Sequence, residues 1–301
     1  MTRAGAALVI MVLAAAAPAE AQDLEPRAFT NTPVGMNFLI LGYGYSRGDV
    51  TFDSSAPITD AELTLHSSIL GYARALDVWG RAGKLDVVLP YAWASGTAKV
   101  AGQPRDREVS GFADPRVRFS VLLYGAPALS MAEFTDYKAD LIVGASLAVT
   151  APLGQYDSDK LVNIGTNRWS FKPEVGISKT LGPWTLELET SVTFYTDNDD
   201  FLGGKTLEKE PLYAVQGHVI YHTRVGVWLA LDTTYYAGGR TTIDGERGDR
   251  QENVRVGGTL AIPVNRYHSI KLYASGGAVA RTGGNFTTVG IAWQVRWGGG
   301  L

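Results

Sequence analysis

Residues 167 to 180 read NRWSFKPEVGISKT, and large apolar side chains alternate there with polar or charged ones. The large apolar residues lie at odd positions: Trp169, Phe171, Val175 and Ile177. The charged residues lie mostly at even positions: Arg168, Lys172 and Glu174. Because successive side chains of a β-strand point to opposite faces, the stretch predicts a strand with one apolar face and one polar face.

Stretches of this kind recur along the chain. We predict twelve strands at 37–47, 62–77, 82–95, 111–124, 140–152, 167–180, 184–197, 212–223, 225–236, 253–263, 269–281 and 287–297. At about 3.3 Å per residue and a tilt of roughly 40°, most of them cover the ~25 Å apolar band of an outer-membrane barrel. The connections are alternately short and long, as periplasmic turns and exterior loops are. The sequence therefore predicts an all-β fold, a transmembrane antiparallel up-and-down β-barrel of about 12 strands.

Alternation alone does not say which face points outward, because a soluble barrel buries its apolar face. Three features favour the membrane arrangement: the loop asymmetry, the strand count, and the aromatic residues that collect near strand ends on the apolar face. Such residues form girdles at the two bilayer interfaces. They are Tyr43, Tyr45, Tyr91, Trp93, Trp169, Trp184, Phe194, Tyr213, Tyr235, Trp293 and Trp297.

One connection breaks the rhythm of short and long turns. Residues 125–139 fall on the short-turn side and yet form a long connection. Ser130 and Glu133 have the spacing of a capping box, which predicts a short helix between strands four and five. The sequence leaves open whether this helix lies in the periplasm or in the lumen.

The N-terminus has the features of an export signal. Arg3 precedes an apolar run, and the small residues at Ala19 and Ala21 suit signal peptidase, so we predict a cleaved signal peptide at 1–21. Residues 22–36 contain two prolines and no strand period, which makes them a candidate plug. We predict that 37–301 form the barrel and that the protein resides in the bacterial outer membrane.

Composition excludes several classes of function. The chain has no cysteine, which rules out a lipid-anchored lipoprotein, a disulfide scaffold, a thiol nucleophile and a thiolate metal site. Its formal net charge is −3 and it has no basic run, so nothing indicates a nucleic-acid partner. No phosphate-cradling glycine motif occurs either. We predict no cofactor and no enzymatic activity.

The polar face of the strands supplies candidate residues for the transport pathway. In the predicted barrel these side chains face the lumen: Tyr72, Arg74, Asp114, Arg116, Arg118, Arg168, Lys172, Glu174, Glu187, Glu189, His218 and Arg255. Their signs are mixed. Opposite charges in a narrow lumen can also pair and brace the wall, which is the alternative reading of each residue taken alone.

Two histidine arrangements have the residue types of a reactive site. His218 and His222 are four residues apart on a predicted strand, about 13 Å, which is too far for one metal ion. His66 and Ser68 share a strand face, as a base and a nucleophile of a barrel lipase could, but no orienting acid can be assigned. The acidic loop residues Asp157, Asp159, Asp197, Asp199 and Asp200 fit no EF-hand spacing.

Several segments resemble a known family, the outer-membrane transporters named for the MetA pathway of phenol degradation. The similar segments are 24–28 (LEPRA), 111–116 (GFADPR), 124–128 (YGAPA), 150–157 (TAPLGQYD), 163–174 (NIGTNRWSFKPE), 216–218 (QGH) and 235–240 (YYAGGR). The resemblance implies a barrel that passes aromatic or other small hydrophobic molecules. It implies no catalytic residues. The chain departs from many outer-membrane barrels in ending Trp297-Gly298-Gly299-Gly300-Leu301 instead of on an aromatic residue.

Three functional hypotheses follow. The first is a passive channel, through the lumen or a lateral opening, for small hydrophobic or aromatic solutes. The second is a sealed structural or adhesive barrel that acts through its exterior loops, and the third is an outer-membrane lipid hydrolase. The expected partners are outer-membrane lipids, the solute and the barrel-assembly machinery; the sequence assigns no oligomeric state.

Overall fold

A computed structural model describes residues 25–51, 58–100, 102–160, 162–280 and 283–301. The predicted signal peptide at 1–21 and the first residues of the candidate plug lie outside these ranges. Within the described part of the chain, no helix is long and apolar enough to cross a membrane.

The fold is a closed antiparallel sheet with one short helix and one small additional sheet. Its elements are β1 (Met36–Thr51), β2 (Ile58–Val78), β3 (Arg81–Val100), β4 (Gln103–Phe112), β5 (Arg116–Tyr124), α1 (Met131–Phe134), β6 (Leu141–Thr150), β7 (Ser170–Leu181), β8 (Trp184–Tyr195), β9 (Asn198–Phe201), β10 (Lys205–Lys209), β11 (Leu212–His222), β12 (Trp228–Gly238), β13 (Thr241–Ile243), β14 (Glu246–Arg247), β15 (Gln251–Pro263), β16 (His268–Ala280) and β17 (Gly283–Gly298).

The wall of the barrel has twelve strand positions. Thirteen strands form the main sheet, and it closes because β2 pairs with both β1 and β3. β4 and β5 both pair with β3 and together occupy one position in the wall. The predicted barrel of about 12 strands is therefore confirmed. The four remaining strands, β9, β10, β13 and β14, form a separate sheet above the long-loop end of the barrel, which we name the loop sheet.

The observed strand boundaries differ most from the predicted ones where the strands leave the membrane. The predicted exterior loop after β3 is instead a continuation of the β3–β4 hairpin as far as residues 100 and 103. Because water contacts both faces of this extension, neither face needs to be apolar. The segment therefore lacks the alternation of apolar and polar residues by which a strand is predicted. β12 begins at Trp228 and not at residue 225, because Thr223 N donates to Val227 O (2.8 Å) in a turn.

The outer face of the wall is apolar and the inner face is polar. Paired side chains such as Leu41 and Leu70 point outward and stay exposed, whereas inward residues such as Glu189 and His218 are buried. Aromatic pairs lie at both ends of the outer face, for example Tyr91 with Trp93 at 4.6 Å and Trp184 with Tyr221 at 4.8 Å between ring centroids. This arrangement suits a wall that meets lipid outside and polar groups inside.

The helix α1 has the predicted capping box, in which the Ser130 side chain accepts from Glu133 N and the Glu133 side chain accepts from Ser130 N. None of its residues is buried. The flanking chain is fixed at the short-turn end of the barrel, where Ala128 N donates to Gly80 O (3.0 Å) and Val34 N donates to Leu129 O (2.9 Å). Of the two locations that the sequence left open, α1 takes the one outside the lumen.

Candidate functional site

The lumen contains the chain that precedes β1. We name residues 25–35 the N-terminal segment. Its first described residue, Glu25, accepts a hydrogen bond from Arg116 Nη2 (3.1 Å) and forms an ion pair with Arg118. Arg118 Nε also donates to Asp86 Oδ2 (3.2 Å). The segment is thus tied to β3 and β5 by a network of two cations and two carboxylates.

The electrostatics of this network favour an ionised Glu25. Burial alone would raise the pKa of Glu25, but the charges of Arg118 and Arg116 outweigh burial and hold that pKa well below its usual value. A cavity of about 90 Å³ adjoins the network, lined in part by Asp86, Arg116 and Arg118. A cavity that binds benzene measures roughly 150 Å³. With the N-terminal segment in place, this space is too small for an aromatic solute.

Phe29 anchors the middle of the segment in a depression of the wall. Gly144 on β6 and Gly176 on β7 are directly paired and face the lumen. A Cβ built on either glycine would overlap the ring of Phe29. The ring is 1% exposed and packs against Leu122 and Ile142, so the two glycines provide the room it needs.

Three predicted glutamates lie along the same side of the lumen. Arg27 N donates to Glu187 Oε2 (2.7 Å), and Ser178 Oγ donates to Glu187 Oε1 (3.0 Å). Glu174 pairs with Lys172 (3.1 Å). Glu189 is 2% exposed, and its Oε1 has no hydrogen-bond partner among the described residues. This wall is therefore acidic beside the N-terminal segment.

The adjoining part of the wall carries His218 on β11, which pairs with Glu187 of β8, and Arg255 on β15. His218 Nδ1 lies 2.7 Å from Asp232 Oδ1, and Thr259 Oγ1 donates to Asp232 Oδ2 (3.3 Å). Arg255 Nη2 donates to Ser275 Oγ (3.0 Å). These contacts join neighbouring strands, so the groups brace the wall as well as line the lumen.

Asp114 and Arg168 lie near the long-loop end. Asp114 fills the break between β4 and β5 and accepts from Gly154 N (2.8 Å), Thr166 N (2.8 Å) and Thr166 Oγ1 (2.6 Å). It fixes the β6–β7 connection inside the barrel and is not free to contact solute. The Arg168 guanidinium lies 5.0 Å from the centre of the Tyr195 ring.

Two of the predicted lumen residues, Tyr72 and Arg74, face the other way. The register pairs Tyr72 with Leu39 and Arg74 with Leu85, both on the outward face. Tyr72 Oη donates to Asn37 Oδ1 (2.8 Å) at the short-turn end, where polar tips of aromatic and basic side chains reach the interface. The assignment of these two residues to the lumen was wrong, because small side chains such as Ala73 and Ala75 line the lumen on β2.

The histidines have partners other than those of a metal pair or of a base and nucleophile. Tyr43 Oη lies 2.6 Å from His66 Nδ1, so a phenol, and not an acid or amide, holds that ring on the outer face. His222 Nε2 lies 3.2 Å from Thr185 Oγ1, apart from the contact of His218 with Asp232. In the described part of the chain, no group of three or more His, Asp or Glu residues could hold a metal ion.

Sequence reasoning missed several residues that shape the lumen. Glu25 and Phe29 lie in a segment without periodicity, and Lys209 lies in the loop sheet. The one available signal was the absence of side chains at Gly144 and Gly176 on a polar face, which indicates close approach of another group.

Comparisons with known proteins agree with this architecture. Residues 48–293 match the family described as "Putative MetA-pathway of phenol degradation". The chain belongs to this family. Family membership therefore confirms the resemblance read from the sequence. No curated protein matches the chain.

Solved structures show the fold of this family member. An outer membrane channel from Pseudomonas putida F1 superposes with a TM-score of 0.78 at 23% identity, over 91% of this chain and 100% of that one. The β domain of the Bordetella autotransporter BrkA follows with a TM-score of 0.55 at 11% identity, over 87% and 100% of the two chains. The transport unit of the autotransporter AIDA-I from Escherichia coli has a TM-score of 0.51 at 11% identity, over 91% and 92%. All three have the fold of outer-membrane barrels.

Proposed function

We propose that the protein is a bacterial outer-membrane channel that passes small hydrophobic or aromatic compounds by passive diffusion. One observation carries the proposal: the N-terminal segment lies in the lumen against β5, β6, β7 and β8, and it is a separable piece of chain, not part of the wall. A barrel sealed for structural purposes is filled by its own wall side chains. Here the filling can leave without breaking any strand.

A second route that we propose is a lateral opening in the wall. Residues 113–115 separate β4 from β5, and Pro115 has no N–H to contribute to the ladder. In this break, Ala113 N still donates to Pro90 O (2.9 Å). A hydrophobic solute that entered the lumen could leave sideways into the bilayer at this position.

Deletion of residues 22–35 tests the channel directly. We expect the single-channel conductance in planar bilayers to rise several-fold relative to the full mature chain, because the deletion removes the filling and leaves β1 intact. A matched control deletes residues 132–135 outside the lumen, none of which is buried. Equal conductance of the full chain and the 22–35 deletion would contradict the plug.

The solute class is tested in cells. The description of the family names phenol degradation, and we propose small aromatic compounds as solutes on that basis. Uptake of a panel of labelled phenols, alkylbenzenes and fatty acids by cells with and without the protein identifies the class. Equal uptake of all of them in both strains would oppose the proposal.

The loop sheet favours a second candidate, a sealed adhesive barrel. It has its own small core of Phe201, Leu207 and Ile243, so it can present a stable surface outside the cell. Liposome swelling separates the two candidates, because a sealed barrel admits neither sugars nor phenols even after deletion of residues 22–35.

Catalysis by Ser68 is excluded if the variant Ser68→Ala leaves lipid hydrolysis unchanged.

We propose two further partners from the outer face. Exposed apolar residues such as Leu186, Leu188 and Val219 would contact outer-membrane lipids. Strand β17 ends near Trp297 and would serve as the strand that the barrel-assembly machinery recognises. Truncation after Trp297 should then preserve assembly, whereas the variant Trp297→Ala should lower the yield of folded barrel.

A further inference from the structure

Two buried cations lie next to each other below the loop sheet. Arg168 is 5% exposed and Lys209 is 9% exposed. The Arg168 guanidinium lies 5.0 Å and Lys209 Nζ lies 4.6 Å from the centre of the same ring, that of Tyr195. Three different parts of the chain meet here: the β6–β7 connection, the end of β8 and the end of β10.

Neither cation is in direct contact with a carboxylate in the described part of the chain. Arg168 Nε and Nη1 are buried and have no hydrogen-bond partner there. Asp114 and Asp197 act on Arg168 only through space, and Asp114 already accepts three hydrogen bonds from Gly154 and Thr166.

Burying uncompensated positive charge is energetically costly. Burial, with a smaller contribution from Arg168, lowers the pKa of Lys209 to about 7. Two buried cations that repel each other lower the stability of the fold unless an anion binds between them. Ring contacts with Tyr195 offset only part of that cost.

The side of this place behind Tyr195 is apolar. Tyr195 packs against a buried cluster of Leu212, Ala214 and Tyr236. A ligand that fits therefore combines a negative group, for Arg168 and Lys209, with an apolar or aromatic body, for the tyrosine side. A carboxylate suits Arg168 in particular, because guanidinium binds carboxylate with two parallel hydrogen bonds.

We propose that Arg168 and Lys209 form a binding site for the carboxylate of an aromatic or aliphatic organic acid at the entrance of the barrel. The inference rests on the proposed channel, whose solute class it narrows to compounds that carry a carboxylate. The test measures binding and not transport, so its result can contradict the binding site without contradicting the channel.

Benzoate is the probe, titrated by isothermal calorimetry into the full mature protein in a neutral detergent, with benzyl alcohol as its uncharged analogue. Arg168→Gln and Lys209→Gln should each weaken benzoate binding by about tenfold or more, which corresponds to about 1.4 kcal/mol. Lys209→Arg should retain binding because it retains the charge. Arg247→Gln is the matched control, since Arg247 lies on the same loop sheet in an exposed pair with Glu210.

Folding of every variant is checked by heat-dependent mobility in electrophoresis. Benzoate binding that is unchanged in both glutamine variants would overturn the proposal. So would equal binding of benzyl alcohol, because it would show that the charge plays no role. A titration with inorganic phosphate distinguishes the source of the anion: binding of phosphate without binding of benzoate would also overturn the assignment to a carboxylate.

Discussion

The ring of Phe29 occupies the space that a side chain at Gly176 would need. The contact joins the N-terminal segment to the wall at a point where the wall has no side chain of its own. It makes the position of the segment depend on a residue that is distant in sequence and contributes no polar group.

We therefore expect Gly176→Val to displace Phe29 and raise the single-channel conductance, because close-packed groups cannot share this volume. In a Phe29→Ala background the same substitution should add little. Gly217→Ala is the control, since a Cβ there lies 3.7 Å from Thr233 Cγ2, an ordinary contact. Conductance of the Gly176→Val variant equal to that of the unmodified protein would show that Phe29 does not hold the segment.

The ion pairs of Glu25 predict a pH dependence. Because Arg118 and Arg116 hold the pKa of Glu25 well below its usual value, the carboxylate form contributes stability above the unfolded pKa, and that contribution is lost as pH falls through the lowered value. We expect low conductance from neutral pH down to about pH 5 and a rise only below about pH 4. Glu25→Gln should raise conductance at neutral pH and remove the acid response. An acid response that survives in Glu25→Gln would assign it to another group.

The hydrogen bonds of Asp114 predict how firmly the β6–β7 connection is held. Its carboxylate accepts three hydrogen bonds from Gly154 and Thr166, and a hydrogen bond to a charged group contributes roughly 1.5–3 kcal/mol. We expect Asp114→Ala to release the β6–β7 connection and make it sensitive to added protease on intact cells. Asp159→Ala, an exposed carboxylate of the same connection, should not. Equal cleavage of the two variants would argue against this role.

The buried contact of His218 with Asp232 predicts a stability effect. Removing one partner leaves the other buried and unpaired, which costs about 1–3 kcal/mol. We expect Asp232→Ala to lower the free energy of unfolding by that amount, measured by urea titration of tryptophan fluorescence in lipid vesicles. The double variant His218→Leu with Asp232→Leu should lose less than the single one. If the double variant lost as much free energy of unfolding as His218→Leu and Asp232→Leu lose together, the two residues would act independently.

The period of two was sufficient to predict the twelve wall strands, because a membrane wall needs an apolar outer face along its whole height. It failed where that need ends, as in the β3–β4 extension. It also failed on β2, where alanines face the lumen and Tyr72 and Arg74 face outward.

Individual residues of the candidate site were predictable where wall side chains form it, whereas the N-terminal segment was predictable only as a whole. Arg116, Arg118, Glu174 and Glu187 were found because they alternate with apolar residues. Glu25, Phe29 and Lys209 were not, because their positions depend on contacts between segments far apart in sequence. Local patterns carry no information about such contacts.

The unequal strand lengths shape the outer mouth. At about 3.3 Å per residue and a tilt of roughly 40°, the 21 and 20 residues of β2 and β3 rise about 50 Å, whereas the 11 residues of β11 and β12 rise about 28 Å. The long strands alone build one flank of the mouth, whereas on the other flank the loop sheet continues from the ends of short strands. A compound that approaches from the short-strand side therefore meets the loop sheet first, with Arg168 and Lys209 beneath it.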